Sequence, residues 1–210
     1  MELVSNKFGI PLLGTVPYLK DIQKTKLSIN QDSNSDNNKT ANEFICSESF
    51  RSIATSIRFL NINAKLTNKL VITSTKPSEG KTTITAFIAT TFADLGSKVL
   101  LIDADMRRPS IHKIFDLDNI NGLSNLITDA TLTIEDVLLK TSVPNLDIIT
   151  AGIIPPDPVY LLSSNRMKEI TKNIDLLNYD YVVFDAPPSE TLADPKVLAK
   201  YCDLSLFLVT

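Results

Sequence analysis

The chain has 210 residues, 43% of them hydrophobic, and a formal net charge of −3. That length suits one domain with an appendage and a sizeable core, and the charge argues against a nucleic-acid binder, which carries a basic face. The two cysteines, Cys46 and Cys202, form no C-x-x-C and read as reduced thiols, while no apolar run reaches the ~18 residues of a membrane span and no signal peptide opens the chain, so the segment reads as soluble.

Residues 1–22 include "KFGIPLLGTVPYLKDI", an apolar stretch that Gly9, Pro11, Gly14 and Pro17 keep from forming a long helix. Residues 23–44 are polar and rich in Asn, Ser, Asp and Lys, the composition of a flexible linker. From 45 to 210 the pattern is that of one folded domain. An amphipathic helix is predicted over 47–62, capped by Ser47, with an apolar stripe of Phe50, Ile53, Ile57 and Leu60. Glu48, Arg51, Thr55 and Arg58 make a second, charged stripe.

Strands are predicted at 69–75, 98–105, 145–152, 179–187 and 203–210. Helices are predicted at 81–95, 122–139, 159–177 and 192–201. Apolar strands alternating with helices imply an α/β fold, a mostly parallel sheet with helices on both faces. The last strand runs to Thr210, so the domain reads as truncated at its C-terminus.

In such sheets ligands gather at the C-terminal ends of the strands. The first strand leads through "TKPSEGKTT" into a helix. Backbone N–H groups of that loop can cradle phosphates, Lys81 supplies a point charge, and the Thr82 hydroxyl supplies a Mg²⁺ ligand. Thr75 stands where a phosphate loop of the form G-x-x-x-x-G-K-[ST] has its first glycine; Gly80 is the glycine that remains, and Pro77 stiffens the loop. The second strand ends "LIDADMRRP", where Asp103 and Asp105, two apart, share one face. The third ends "VVFDAPP", with Asp185 placed as a Mg²⁺-holding carboxylate. His112, the single histidine, reads as a packing residue. Arg107 and Arg108 read equally well as a phosphate or acid contact or as a solvated pair.

With these strand ends in view, the chain from Glu48 to Thr210 resembles the bacterial tyrosine kinases (BY-kinases) of capsule and exopolysaccharide export, which are P-loop NTPase-like in fold. "ESFRSIATSIRF" looks like their oligomerisation helix, "PSEGKTT" their Walker A, "LLIDADMRRP" their Walker A′ and "VVFDAPPS" their Walker B. "GIIPPDPVYLLSS" matches a further segment, and "GIPLLGTVP" is similar to the stretch that follows the last membrane helix in members whose membrane part shares the chain. That family lacks the first Walker glycine as a rule, and Ser78 stands where it often has another.

The resemblance implies an ATP- and Mg²⁺-dependent protein-tyrosine autokinase. Ser78, Glu79, Gly80, Lys81, Thr82 and Thr83 would bind the nucleotide. Thr82, Asp105 and Asp185 would hold the metal. Lys81, Asp103 and Asp105 would be catalytic, with Asp103 accepting the tyrosine hydroxyl proton. Glu48, Arg51 and Arg58 would form a homo-oligomer interface. The partner implied is a transmembrane polysaccharide co-polymerase or activator segment of the same polypeptide, with the domain cytoplasmic at the inner face of the bacterial inner membrane and no nucleic acid bound.

Three departures qualify these expectations. The family helix reads E-x-x-R-x-x-R, whereas Ala54 follows Arg51 here and Arg58 lies one turn further on. No tyrosine cluster is present: Tyr179 and Tyr181 start a strand, Tyr160 and Tyr201 belong to helices expected to pack on the sheet, and Tyr18 precedes the linker. Members of the family continue past the position of Thr210 with a helix and strand whose loop helps hold adenine. A partition or division-site ATPase switch is the competing reading, since Lys76 stands five before Lys81. A catalytically weak nucleotide-binding regulatory module is a third.

Overall fold

The computed structural model describes residues 9–17, 41–60 and 68–210. They fall in two compact units, Met1–Lys65 and Leu66–Thr210. The expected linker lies outside the described residues as far as residue 40, as does Tyr18.

In the first unit, helix α1 spans Ala41–Leu60. It starts six residues before the predicted cap at Ser47 and runs into the stretch read as linker, so Ser47 is an interior helical residue. Phe50, Ile53, Ala54 and Ile57 are buried, whereas Leu60, expected on the apolar stripe, is 52% exposed. Glu48, Arg51, Thr55 and Arg58 are all exposed on one face. Ala54 is buried, so the charged row steps from Arg51 through Thr55 to Arg58, and the Arg58 position stays on that face. Residues 9–17 form neither helix nor strand; a Cβ at Gly14 would lie 2.5 Å from Ile53 Cγ1, so the segment passes this close to α1 only because residue 14 has no side chain.

The second unit is built on a six-stranded sheet: β1 (Asn68–Ser74), β2 (Val99–Asp103), β3 (Leu139–Lys140), β4 (Leu146–Ile149), β5 (Tyr181–Asp185) and β6 (Leu204–Leu208), in the order β3-β4-β2-β5-β1-β6. All pairings are parallel except β3 with β4. Strands β2 and β5 are buried along their whole length, which is why VLLID and YVVFD are continuous apolar runs rather than alternating ones. Helix α2 (Lys81–Asp94) buries Ala86, Ile88, Ala89, Phe92 and Ala93, and Phe92 stacks on Tyr181 with ring centroids 4.0 Å apart.

The remaining predicted helices are shorter than expected, and a four-residue helix α3 (Ile111–Ile114) that the sequence did not suggest follows β2. The expected helix 122–139 is two pieces, α4 (Leu123–Thr128) and α5 (Ile134–Val137), followed directly by β3. The break comes at Asp129, whose carboxylate accepts from the backbone and hydroxyl of Thr131 and favours a turn there. The expected helix 159–177 is likewise α6 (Pro158–Leu162) and α7 (Asn165–Asp175), because the Ser164 hydroxyl caps a new helix by accepting from Met167 N. Helix α8 (Asp194–Leu198) passes into a 3₁₀ turn at Ala199–Tyr201.

Candidate functional site

The sheet order makes β2, β5 and β1 neighbours, with β5 in the middle. The register pairs Asp103 with Asp185 and Ile72 with Asp185. The ends of the three strands singled out in the sequence therefore meet at one place.

The loop after β1 is held in shape by its own residues. Ser78 has φ +66° and Gly80 φ +81°, both in the left-handed region. Ser78 adopts there a backbone that glycine takes without strain, which explains why a glycine suits that position. The Glu79 carboxylate turns back to accept from Thr75 Oγ1 at 2.9 Å and Lys76 N at 2.9 Å, and also from Thr210 Oγ1 at 3.1 Å. The Lys76 N–H, with smaller help from the hydroxyls, holds the Glu79 carboxyl below its usual range. Glu79, expected as a nucleotide contact, here spends its carboxylate on tying the loop together. Helix α2 begins at Lys81, so the N–H groups of Lys81, Thr82 and Thr83 fall in a first turn that has no intrahelical acceptors. Its positive end faces the site.

Lys81 is buried, 6% exposed. Its Nζ lies 2.7 Å from Asp185 Oδ1 and 3.6 Å from Asp105 Oδ2. Thr82 Oγ1 donates to Asp185 Oδ2 at 2.8 Å. Thr85, one turn along α2, reaches Asp185 Oδ1 at 3.0 Å while also lying 2.9 Å from Lys81 O. Its i+4 spacing from Lys81 was the available signal, but a lone Thr in a helix carries no motif, and sequence reasoning passed over it.

Asp185 has no exposed surface. Burial pushes its carboxyl above the usual range, while Lys81 and the Thr82 hydroxyl pull it back. Asp103 is also wholly buried. Its Oδ1 accepts from Asp105 N at 3.2 Å, and its Oδ2 accepts from Ser110 N at 3.1 Å and Ile111 N at 3.0 Å. Burial first, then the Asp185 charge, push its carboxyl up to about 7 against these N–H groups. Asp105 Oδ1 accepts from Arg108 N at 3.1 Å, closing a turn over residues 105–108. Arg107, left open between a ligand contact and solvent, pairs within the chain: Nε to Asp194 Oδ1 at 3.0 Å and Nη2 to Asp194 Oδ2 at 3.3 Å. Asp194 was not singled out in the sequence, where an Asp before Pro at a helix start reads as a cap.

Lys81, Thr82, Asp105 and Asp185 are thus brought together, with Asp103 beneath them. Glu48, Arg51 and Arg58 belong to the other unit. Among the described residues no group of three His, Cys, Asp or Glu side chains is placed to hold a metal alone. The oxygens of Thr82, Asp105 and Asp185 fit a small hard cation that completes its shell with water and phosphate, which is how Mg²⁺ is usually bound. The buried Lys81 ammonium supplies one positive charge beside the Asp105 and Asp185 carboxylates.

Residues 67–201 match the family described as an AAA domain. The chain is 44% identical over 154 residues to the putative tyrosine-protein kinase CapB of Staphylococcus aureus, covering 73% of this chain and 66% of that protein. It is 39% identical over 164 residues to tyrosine-protein kinase YwqD of Bacillus subtilis, covering 78% and 68%. It is 32% identical to tyrosine-protein kinase ptk of Acinetobacter johnsonii, covering 98% of this chain but 28% of that protein. The chain thus spans about two thirds of the shorter relatives and about a quarter of the longer one. Among solved structures, the kinase domain of Escherichia coli tyrosine kinase ETK superposes with a TM-score of 0.82 at 29% identity, covering 97% of this chain and 79% of that one. The septum site-determining protein MinD of Pyrococcus horikoshii, complexed with Mg-ADP, superposes at 0.58 with 23% identity, covering 69% and 58%, and shares the fold. The strand-end carboxylates, the G-K-T loop and these likenesses agree: the chain belongs to the bacterial tyrosine-protein kinase family built on this AAA-type domain.

Proposed function

We propose that the chain binds Mg²⁺-ATP and transfers its γ-phosphoryl group to tyrosine, in the setting of capsule or exopolysaccharide export. The convergence of Lys81, Thr82 and Asp185 within hydrogen-bonding distance, at the mouth of three adjacent strands, carries the nucleotide part of this reading. The names of the relatives carry the tyrosine part.

Phosphoryl transfer needs positioning and charge stabilisation more than covalent help. In this reading Lys81 gives up its carboxylates for phosphate oxygens. The first turn of α2 and the loop N–H groups orient the phosphates. Thr82, Asp105 and Asp185 would hold Mg²⁺, which when bound would supply charge stabilisation to the phosphate oxygens. Asp103 is the proposed acceptor of the tyrosine proton. Its raised carboxyl suits a base working near neutrality.

Assembly belongs to the same proposal: a homo-oligomer through Glu48, Arg51 and Arg58, and a transmembrane activator segment on the same polypeptide, with this domain on the cytoplasmic side of the inner membrane. The longer relative supports a larger whole protein. Among the described residues no helix is long and apolar enough to cross a membrane.

The test is incubation with Mg²⁺-ATP, with and without a tyrosine-containing peptide, read by phosphotyrosine mass spectrometry. Phosphotyrosine that requires both Mg²⁺ and Lys81 supports the kinase. ATP hydrolysis with no phosphotyrosine on chain or peptide would favour the division-type ATPase switch. Nucleotide binding with neither reaction would favour the regulatory module.

A further inference from the structure

Arg107 and Asp194 join the loop after β2 to the far end of the loop after β5, beyond the place where Ala104 N donates to Asp185 O at 2.9 Å and the two loops begin. Asp194 has no exposed surface, and both its oxygens are taken by one guanidinium, through Nε at 3.0 Å and Nη2 at 3.3 Å. The Arg107 side chain is 36% exposed, so the cation reaches inward from the rim to a carboxylate that water does not reach. Two parallel N–H···O bonds fix orientation as well as distance, which a lysine cannot reproduce. A buried carboxylate is costly without such a partner, so the pair implies that the two loops are held in one relative position.

One of those loops carries Asp105. The 105–108 turn, closed by Arg108 N on Asp105 Oδ1, sets the direction of that carboxylate, and Arg107 lies inside the turn. The other loop leaves β5 after Asp185. Its first part is tied to the exit of β1: Ala186 N donates to Ile72 O at 3.0 Å, Ser189 N to Ser74 O at 2.8 Å, and Glu190 N to Thr75 O at 3.3 Å, while Thr73 Oγ1 donates to Pro187 O at 2.6 Å. Its far end, Asp194, grips Arg107. The segment 186–194 therefore runs from the phosphate loop to the Asp105 turn, fastened at both ends.

We propose that Arg107 and Asp194 form a latch that positions Asp105 toward the metal shared with Asp185. Arg107 and Asp194 are positioning residues: neither touches Lys81 or Asp185. The proposal rests on the reading of Asp105 as a Mg²⁺ ligand.

The experiment measures ADP binding to the 210-residue chain across a Mg²⁺ titration and in EDTA, for wild type, Arg107→Lys, Arg107→Gln, Asp194→Asn and the double variant Arg107→Gln/Asp194→Asn. Amide hydrogen exchange over 104–111 is followed in the same proteins without nucleotide. Loss of a group that orients a metal ligand commonly weakens metal affinity about tenfold or more. Both Arg107 variants are therefore expected to need about tenfold more Mg²⁺ for half-maximal ADP binding. ADP affinity in EDTA stays at the wild-type value, and exchange over 104–111 quickens. The double variant should lose no more than Arg107→Gln alone, the non-additivity expected of one interaction. A lowered melting temperature with an unchanged Mg²⁺ requirement in Arg107→Lys and Arg107→Gln would overturn the latch, leaving the pair a staple of the fold. ADP binding by wild type that ignores Mg²⁺ would instead overturn the metal reading beneath it, and the latch with it.

Discussion

The Lys81 ammonium sits 2.7 Å from Asp185 Oδ1, and 6% and 0% of the two side chains are exposed. The residue that the sequence marks for phosphate is therefore also a structural counter-ion. A lysine needed only for phosphate would be replaceable without harm to the fold; this one is not. Lys81→Met is expected to abolish Mg²⁺-dependent nucleotide binding and also to destabilise the protein by about 3 kcal/mol at neutral pH, since it strands a buried carboxylate. Because Asp185 can then take a proton, the loss should shrink as pH falls. Thermal unfolding at pH 8 and pH 5 checks this, and equal losses at both would contradict it.

Asp103 links stability to pH in a definite direction. Its carboxyl rises to about 7 in the fold from an ordinary 3.8, chiefly through burial and the Asp185 charge. Between those values the folded state keeps a proton that the unfolded chain has released, so this group's contribution falls as pH rises from about 4 to about 7. Below that window both states are protonated, and above it both are ionised. Asp103→Asn should therefore fare better relative to wild type at pH 8 than at pH 4.5, in denaturant unfolding without nucleotide. A difference between the two proteins that does not vary with pH would show that Asp103 is not held near 7.

Fold class and the three strand ends were legible because β1, β2 and β5 are buried runs that end in polar residues, a pattern that survives without knowledge of neighbours. Asp103 and Asp185 could be placed in one site because strands in a parallel sheet end on the same side; Asp105, expected on the same strand face as Asp103, instead lies two residues past the end of β2, in the turn closed by Arg108 N. The short helices were not legible. Whether 122–139 is one helix or two depends on the Asp129–Thr131 turn, a competition between side chain and backbone that apolar spacing does not report. The partner of Arg107 was hidden for another reason: Asp194 is 87 residues away, and only the folded loop brings them together.

Tyrosine burial also departs from expectation. Tyr160, expected to pack on the sheet, is 73% exposed. Tyr179 donates its hydroxyl to Asp147 at 2.7 Å, Tyr181 is buried against Phe92, and Tyr201 donates to Leu162 O at 2.9 Å. Phosphate entering the region 68–210 should therefore appear at Tyr160, and Tyr160→Phe should remove it without lowering the melting temperature. Site-resolved mass spectrometry that finds Tyr179 or Tyr181 modified in the folded protein would refute this.

The charged row on α1 makes a prediction about assembly. Glu48 and Arg51 contact one another at 3.5 Å with both side chains at least half exposed, a pair worth well under about 1 kcal/mol within the helix. Glu48→Lys, Arg51→Glu or Arg58→Glu should cost little stability yet weaken self-association. Sedimentation velocity over a range of concentrations reads this directly. Identical profiles for variants and an associating wild type would assign the row to solvent.

Where the γ-phosphoryl group ends up decides between a tyrosine kinase and a nucleotide-hydrolysing switch. ATP labelled at the γ position is incubated with the chain, Mg²⁺ and a tyrosine-rich peptide, and label on tyrosine is compared with label released as free phosphate. Tyrosine-bound label is expected to disappear in Lys81→Met and without Mg²⁺, and to fall sharply in Asp103→Asn while nucleotide binding by that variant persists. Label found only in free phosphate, or tyrosine labelling that survives Lys81→Met, would contradict the kinase reading.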